Sequence, residues 1–198
     1  MSRIKVLDAL NQTPGSEIVV KGWVRAFRSN RFIALNDGST INNIQIVIDD
    51  SIIPEAIVSK ISTGAAIAVK GDLVESQGKG QKVEILAKEV EVLGTANPEE
   101  VQKTILQPKR HSLELLREQA HLRFRTNLFG AIFRIRHAMT YAIHNYFNSK
   151  GFYNLHTPII TGSDAEGAGE MFRVTNFDLA NIPLNEEGKV DIEQDFFE

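Results

Sequence analysis

The 198-residue sequence contains no cysteine, which excludes disulfide bonds and zinc sites built from thiolates. Its five histidines are scattered, and no two of them stand four residues apart as a helical metal site requires. No apolar run approaches the roughly 18 residues of a membrane-spanning helix. Residues 1–17 also lack the apolar core of a signal peptide. Together these absences predict a soluble, cytoplasmic protein.

Neither sign of charge is in large excess, because the formal net charge is only -3, and this gives no global signal for nucleic acid. The distribution is more informative. Residues 109–137 contain seven Lys or Arg against two acids, whereas residues 164–198 contain ten acids against two bases. A basic middle suits phosphate and an acidic end suits an amine or a metal ion, with solvated helix faces and a polar tail as the alternative.

Apolar and polar residues alternate in several short runs between residues 17 and 93, which predicts strands with one buried face. The clearest runs are 19–27, 44–48 and 83–87. Turn-forming residues occupy 36–39 and 77–80, and residues 54–61 suit one short helix. Five short strands with a helix after the third predict an OB-fold barrel, with an SH3-like barrel as the alternative.

Residues 94–108 are predicted to form a linker, because Gly94, Asn97-Pro98 and Pro108 interrupt the apolar patterns and the composition turns polar. Over residues 128–146 the apolar spacing becomes helical, and Lys150-Gly151 ends that helix. Its apolar face is wide and needs a partner surface. A strand predicted over residues 152–161 is one candidate for this partner, and a second subunit is the other.

The segment 22–49 contains the groups with which OB barrels bind single-stranded nucleic acid, namely cations, aromatic rings and an amide. The cations and rings that interleave are Arg25, Phe27, Arg28, Arg31 and Phe32. Gln45 is out of phase with the flanking isoleucines, so its amide is predicted on the outer face, where it can read a base edge. The alternatives are barrel core for Trp23, Phe27 and Phe32, each taken singly, and a plain solvent-facing role for Gln45.

The segment 22–49 is similar to the anticodon-binding barrel shared by aspartyl-, asparaginyl- and lysyl-tRNA synthetases. The resemblance implies that Phe32, five residues before Asp37, stacks on the middle anticodon base. It also implies that Gln45 reads this base as uracil. The residues to which the resemblance assigns anticodon contacts are Arg25, Arg28, Phe32, Gln45 and Glu84.

Residues 151–172, GFYNLHTPIITGSDAEGAGEMF, closely resemble the first signature motif of class II aminoacyl-tRNA synthetases and the mobile loop after it. The resemblance implies that Pro158 builds a two-fold dimer interface and that Glu166 contacts the α-ammonium group of the amino acid. Aspartyl enzymes usually have Glu-Thr-Pro where this chain has His156-Thr157-Pro158. The version present here therefore favours asparagine over aspartate.

The resemblance extends over nearly all of the chain and implies three parts. An OB-fold anticodon-binding domain is expected at 1–95, a hinge at 96–127, and the beginning of an antiparallel α+β class II catalytic domain at 128–198. The implied activity is asparagine–tRNA ligation, in which ATP with Mg²⁺ activates asparagine to an adenylate and the asparaginyl group passes to tRNA. A cytoplasmic homodimer without membrane or DNA contacts is expected.

The second and third class II motifs, which supply the arginines for ATP, are not found in the sequence. No catalytic residue and no metal ligand is therefore assigned, and the 198 residues alone are expected to be inactive as a truncated enzyme. Two alternatives to the asparagine enzyme stay open. One is a non-catalytic tRNA- or RNA-binding OB module derived from a synthetase, and the other is an aspartyl-tRNA synthetase.

Overall fold

The computed structural model describes residues 2–78, 80–162 and 172–197. By their internal contacts the residues form two compact units, Met1–Ile143 and His144–Glu198. Each unit is described by itself below. Within the described residues, no helix combines the length and the apolar character needed to cross a bilayer.

The first unit is built on a closed five-stranded barrel with the strand order β1-β2-β3-β5-β4. The strands are β1 (Glu17–Arg28), β2 (Phe32–Asn36), β3 (Ile44–Val47), β4 (Ala66–Glu75) and β5 (Val83–Gly94). The pair β3–β5 is parallel and the other pairs are antiparallel. Helix α1 (Val6–Asn11) precedes the barrel, and α2 (Glu55–Val58) lies between β3 and β4, inside the predicted range. The predicted OB-fold barrel is confirmed.

The core of the barrel consists of the inward-facing aliphatic side chains of all five strands. Its fully buried members include Val20, Val24, Ile33, Leu35, Ile44, Ile46, Ile67, Leu73 and Ile85. Buried and outward-facing residues alternate along the strands. In β2, for example, Ala34 of the outer face lies between the buried Ile33 and Leu35, as the sequence predicted. Helix α1 contributes Val6 and Ala9, both without exposed surface, to the same core.

One irregularity in β1 changes which residues face the core. The β1–β2 register shifts between Val24 and Ala26, so Arg25 is an extra residue in the strand. As a result Phe27, after the bulge, packs against the core. Trp23, before the bulge, is 41% exposed. The core placement is therefore wrong for Trp23 and right for Phe27.

The remainder of the first unit is helical. Helix α3 (Pro98–Gln102) begins at an Asn97 cap and α4 (Leu113–Glu118) at a Ser112 cap, each side chain accepting a hydrogen bond from the first turn. A 3-10 turn at Arg123–Arg125 leads into α5 (Asn127–Ser149). This last helix confirms the helix predicted over residues 128–146.

The second unit contains the carboxyl end of α5 and chain with little regular structure. Its described residues include a 3-10 turn (Ile192–Gln194) and an isolated bridge between Leu184 and Val190. The strand predicted over residues 152–161 is wrong, because the structure has no strand there. An extended segment becomes a strand only by pairing with a neighbour, and this one has no ladder partner among the described residues.

The loop 36–41 ties helix α1 to the barrel through one carboxylate. Asp37 Oδ2 accepts hydrogen bonds from the Val6 amide at 3.0 Å and the Arg3 guanidinium at 3.2 Å, while Oδ1 accepts from the Ser39 amide and hydroxyl. Burial alone would raise the pKa of this carboxyl, but the bonds from Ser39, Val6 and Arg3 outweigh burial and lower the pKa.

We expect Asp37→Asn to lower the free energy of unfolding at neutral pH by about 1 kcal/mol. Since the folded pKa lies below the ordinary value near 3.9, this stabilisation is complete above that value and disappears as the pH falls through the folded pKa. Urea denaturation from pH 7 down to pH 3 measures the difference. Asp8→Asn, an exposed acid of α1, is the control. A difference between Asp37→Asn and wild type that persists undiminished at pH 3 would contradict the assignment.

Candidate nucleic-acid interface

Two cross-strand rows on the outer face of the barrel carry most of the predicted anticodon residues. The first row runs across the strands from Arg28 through Phe32 and Val47 to Leu86. The second row runs from Ala26 through Ala34 and Gln45 to Glu84. Phe32 and Gln45 are diagonal neighbours across β2–β3, a relation that places Cα atoms about 7–8 Å apart. We call Arg28, Phe32, Ala34, Gln45 and Glu84 the platform.

The platform has the shape and chemistry to hold a flat base. Phe32 is half-buried, so part of its side chain is open to solvent. The side chains of Ala26 and Ala34 in the adjoining row are small, and Gln45 is the cross-strand neighbour of Ala34. A base that stacks on the ring is therefore within reach of a hydrogen-bonding amide.

Gln45 is oriented by a hydrogen-bond network that the sequence analysis missed. Its Nε2 donates to Glu84 Oε2 at 2.9 Å. The same carboxylate oxygen accepts from Ser76 Oγ at 2.9 Å and from Gln81 Nε2 at 3.2 Å. Because only the NH₂ end of an amide can donate to a carboxylate, the network fixes which way the amide of Gln45 points and leaves its carbonyl oxygen outside the contact.

Glu84 accordingly orients Gln45, in addition to being a candidate for contact with the anticodon. It is 9% exposed, and its carboxylate takes three donors in this network. Ser76 and Gln81 come from the loop between β4 and β5, so this loop orients a residue of β3. The polar stretch 76–82 gave a turn signal only, because nothing local indicates that Glu84 also bonds to Gln45, 39 positions earlier.

The cationic end of the platform is the three-residue hairpin connection between β1 and β2, residues 29–31. Ser29 and Asn30 have φ values of 52° and 50°, as the tight hairpin turn with two left-handed residues requires. Arg28 and Arg31 flank these two residues and are exposed. The guanidinium of Arg31 lies 5.7 Å from the centroid of the Phe32 ring. Two exposed cations therefore lie beside the Phe32 ring, where they could contact a phosphate backbone.

Arg25 is not part of this group. At the bulge its Nη1 donates to the carbonyl oxygen of Arg125 at 2.6 Å, a bond between the barrel and the turn before α5. Burial lowers the pKa of its guanidinium. Of the five residues predicted at the anticodon, the platform thus unites Arg28, Phe32, Gln45 and Glu84, and Arg25 lies apart from them.

The other two predicted site residues lie in the second unit. Pro158 is described and exposed. Glu166 falls within residues 163–171, outside the described residues. Among the described residues, no group of three His, Asp or Glu side chains could hold a metal ion.

Comparison with known families gives two matches, one for each half of the chain. Residues 18–93 match the OB-fold nucleic acid binding domain of the tRNA anti-codon family. Residues 112–182 match the family of class II tRNA synthetases (D, K and N). The first match covers the barrel with its platform, and the second covers α4, α5 and the segment that carries Pro158.

Whole-chain relatives agree with both matches. The chain is 53% identical over 201 residues to the asparagine–tRNA ligase of Parabacteroides distasonis and 55% identical over 201 residues to that of Porphyromonas gingivalis. All of this chain is aligned in both cases, but it spans only 42% of the length of either relative.

Solved structures support the fold independently. A crystal structure of asparaginyl-tRNA synthetase from Pyrococcus horikoshii, complexed with asparaginyl-adenylate, superimposes with a TM-score of 0.74 at 19% identity. The superposition covers 89% of this chain and 41% of that one. An aspartyl-tRNA synthetase from Entamoeba histolytica gives a TM-score of 0.62 at 21% identity. The chain thus matches an anticodon-binding OB domain and a class II tRNA synthetase (D, K and N) domain, and over its whole length it is similar to asparagine–tRNA ligases.

Proposed function

We propose that these residues serve an asparagine–tRNA ligase by recognising the anticodon of its tRNA. The observation that carries the proposal is the platform with Arg31 beside it, where an aromatic ring, an oriented amide and two cations lie together on an OB barrel. The similarity at 53% identity along the whole chain supports asparagine as the amino acid.

Recognition divides among the platform residues by their chemistry. The Phe32 ring stacks on the middle base of the anticodon, and this contact is indifferent to which base it is. Gln45 presents its carbonyl oxygen and one remaining N–H to the edge of that base, which suits the alternating acceptor and donor of uracil. Arg28 and Arg31 neutralise backbone phosphates, so their contribution falls as salt rises.

The whole ligase joins asparagine to tRNA in two steps. The carboxylate of asparagine attacks the α-phosphate of ATP and releases pyrophosphate, after which a ribose hydroxyl of the tRNA takes the asparaginyl group and releases AMP. ATP with Mg²⁺ supplies the activating phosphate, as in class II synthetases generally, and we assign no residue of this chain to it. Glu166 would hold the α-ammonium group of asparagine.

A cytoplasmic homodimer is the proposed setting of the activity. The face of α5 that the sequence predicted to need a partner is largely exposed in the described residues, with Ile135 at 59%, Met139 at 60% and Tyr146 at 60%. An aliphatic and aromatic surface of this kind is typical of a protein–protein interface. Together with the exposed Pro158, it supports a two-fold interface that includes α5.

Pyrophosphate exchange with the full-length gene product tests the enzymatic part of the proposal. Labelled pyrophosphate is expected to enter ATP when asparagine is present and to remain at background with aspartate. Exchange that depends on aspartate instead would identify an aspartyl enzyme. A full-length product that binds the stem-loop without any exchange would identify an RNA-binding module.

Gln45→Ala tests the recognition part. We expect the preference of the 198-residue chain for a stem-loop with central uracil over one with central cytosine to shrink by roughly 1 kcal/mol, because one reading group is lost. The affinity for the cytosine stem-loop should hardly change. Fluorescence anisotropy at two salt concentrations measures both, with Gln102→Ala, an exposed amide of α3, as control. An unchanged preference would show that Gln45 does not read the base.

A further inference from the structure

A second candidate site lies at the other end of the β1–β2 ladder. Trp23 pairs with Asn36 at that end, whereas Arg28 pairs with Phe32 at the platform end. Beside Trp23 is a cavity of about 370 Å³, bounded by the barrel on one side and by the residues around the start of α5 on the other. We call this cavity the hinge groove and define it by Trp23, Arg25, Phe124, Arg125, Phe133 and Arg134.

Aromatic rings form much of the hinge groove and are open to solvent. Trp23 is 41% exposed, Phe124 is 56% exposed and Phe133 is 41% exposed. Exposed rings that are gathered in one concave site, rather than scattered, are typical of a surface that contacts a ligand or a partner. Three of them in one concave site offer a planar ligand a surface on which to stack.

The charge of the hinge groove is entirely positive. Arg25, Arg125 and Arg134 line it together with His137, and no Asp or Glu is among the lining residues. Burial lowers the pKa of the Arg25 and Arg125 guanidinium groups. The positive charge of Arg25 lowers the pKa of Arg125 further. Two half-buried cations side by side are costly without an anion, and among the described residues no carboxylate forms an ion pair with either.

The arginines are also held in place with donors to spare. Arg25 uses one N–H on the Arg125 carbonyl, and Arg134 donates to the carbonyls of Gly130 at 2.9 Å and Gly38 at 2.6 Å. The Arg125 guanidinium lies 4.8 Å from the ring centroid of Trp23. Since each guanidinium carries five N–H groups, fixed donors remain for the oxygens of an anion.

We propose that the hinge groove binds a free nucleoside monophosphate, with its base against the aromatic rings and its phosphate on Arg25 and Arg125. The volume lies within the roughly 300–1,000 Å³ of small-molecule sites. The amino end of α5, which contributes Asn127 to the lining, adds a favourable field for the phosphate. The lining of this site includes none of the platform residues, and its occupancy does not depend on anticodon recognition.

Trp23 is the only tryptophan of the sequence, so its fluorescence reports directly on the hinge groove. We expect AMP, titrated into the 198-residue chain with excitation at the red edge of the tryptophan band, to give a saturable change. Adenosine and inorganic phosphate should each bind about tenfold more weakly, since each lacks one half of the contacts. Calorimetry of the same titrations provides a reading free of nucleotide absorption.

Arg125→Met is expected to weaken AMP about tenfold, because it removes a cation but keeps the backbone carbonyl that Arg25 uses. Arg125→Lys should restore part of the affinity. Arg117→Gln removes an exposed cation of α4 outside the groove and should bind as wild type. Arg134→Met removes a second positive charge from the hinge groove and should also weaken AMP binding. Thermal unfolding verifies that each variant is folded.

Three results would overturn the proposal. The first is the absence of a saturable change with AMP, and the second is equal binding of AMP and inorganic phosphate. The third is a single-stranded RNA without terminal phosphates that binds more tightly than AMP with the same dependence on Arg125, because the occupant is then an RNA strand. Loss of stem-loop binding in Phe32→Ala alters none of these readings, so the platform and the hinge groove are tested separately.

Discussion

Replacement of Phe32 by alanine is expected to weaken the binding of every stem-loop by roughly 1–3 kcal/mol, the worth of one stacked base. The ring is half-buried on the outer face, on the same face of β2 as the small side chain of Ala34 and beside the cations at the hairpin turn. Because any base has a face on which to stack, the loss should be similar for central uracil and central cytosine. Gln45→Ala differs from Phe32→Ala in this respect. It should reduce the preference for central uracil over central cytosine and leave the affinity for the cytosine stem-loop unchanged.

Two further substitutions at the same position distinguish stacking from packing. Phe32→Tyr keeps the ring and should bind RNA nearly as wild type does, whereas Phe32→Leu keeps apolar volume without a ring and should resemble Phe32→Ala. Anisotropy titrations with both stem-loops measure the affinities, and urea denaturation measures whether the barrel is intact. If Phe32→Leu binds as wild type, the side chain acts through packing and the stacking role is wrong.

The barrel could be predicted from the sequence because its signal is local. In β2 and β3 the isoleucines and leucine that alternate with other residues are the fully buried ones, and Gln45 lies outside, as its phase indicated. The turn at residues 36–39 was likewise local, since Asn36 and Asp37 accept hydrogen bonds from residues two positions later. Strand alternation and turn chemistry both act within a few residues.

Contacts between distant residues could not be predicted in this way. The bulge at Arg25 reverses the phase of β1, and no residue type in the strand announces it. The bond from Gln45 to Glu84 exists because β3 and β5 pair in parallel, which the sequence around either residue does not indicate. The failed strand over residues 152–161 has the same origin, because strand formation depends on a partner rather than on the segment alone.

The role of Glu84 shows how the two kinds of inference combine. The resemblance to anticodon-binding barrels placed Glu84 near the RNA, and the structure adds that its carboxylate orients Gln45 with the help of Ser76 and Gln81. A base-reading amide is useful only when its donor and acceptor ends are distinguished, and a buried carboxylate does this. In the proposed recognition, the loop between β4 and β5 would therefore act through the orientation of Gln45, without contacting RNA itself.

Gly71→Ala is expected to destabilise the barrel by about 3 kcal/mol, at the upper end of overpacking costs. Gly71 lies where the β4–β5 register shifts, so β4 approaches β5 closely there. A Cβ at this position would overlap the carbonyl oxygen of Leu86, which is backbone and cannot rotate away. The strands must separate, and the same ladder carries Glu84 opposite Val74.

Gly94→Ala is the matched control in the same strand pair. A Cβ at Gly94 would meet only the Ala66 side chain, at an ordinary 3.9 Å. This variant should therefore remain within about 0.5 kcal/mol of wild type or gain slightly from reduced freedom of the unfolded chain. Urea denaturation of the three proteins gives the comparison. Equal stability of Gly71→Ala and Gly94→Ala would mean that β4 and β5 can move apart at little cost. Barrel closure would then not depend on a glycine at position 71, and the orientation of Glu84 would tolerate movement of β4.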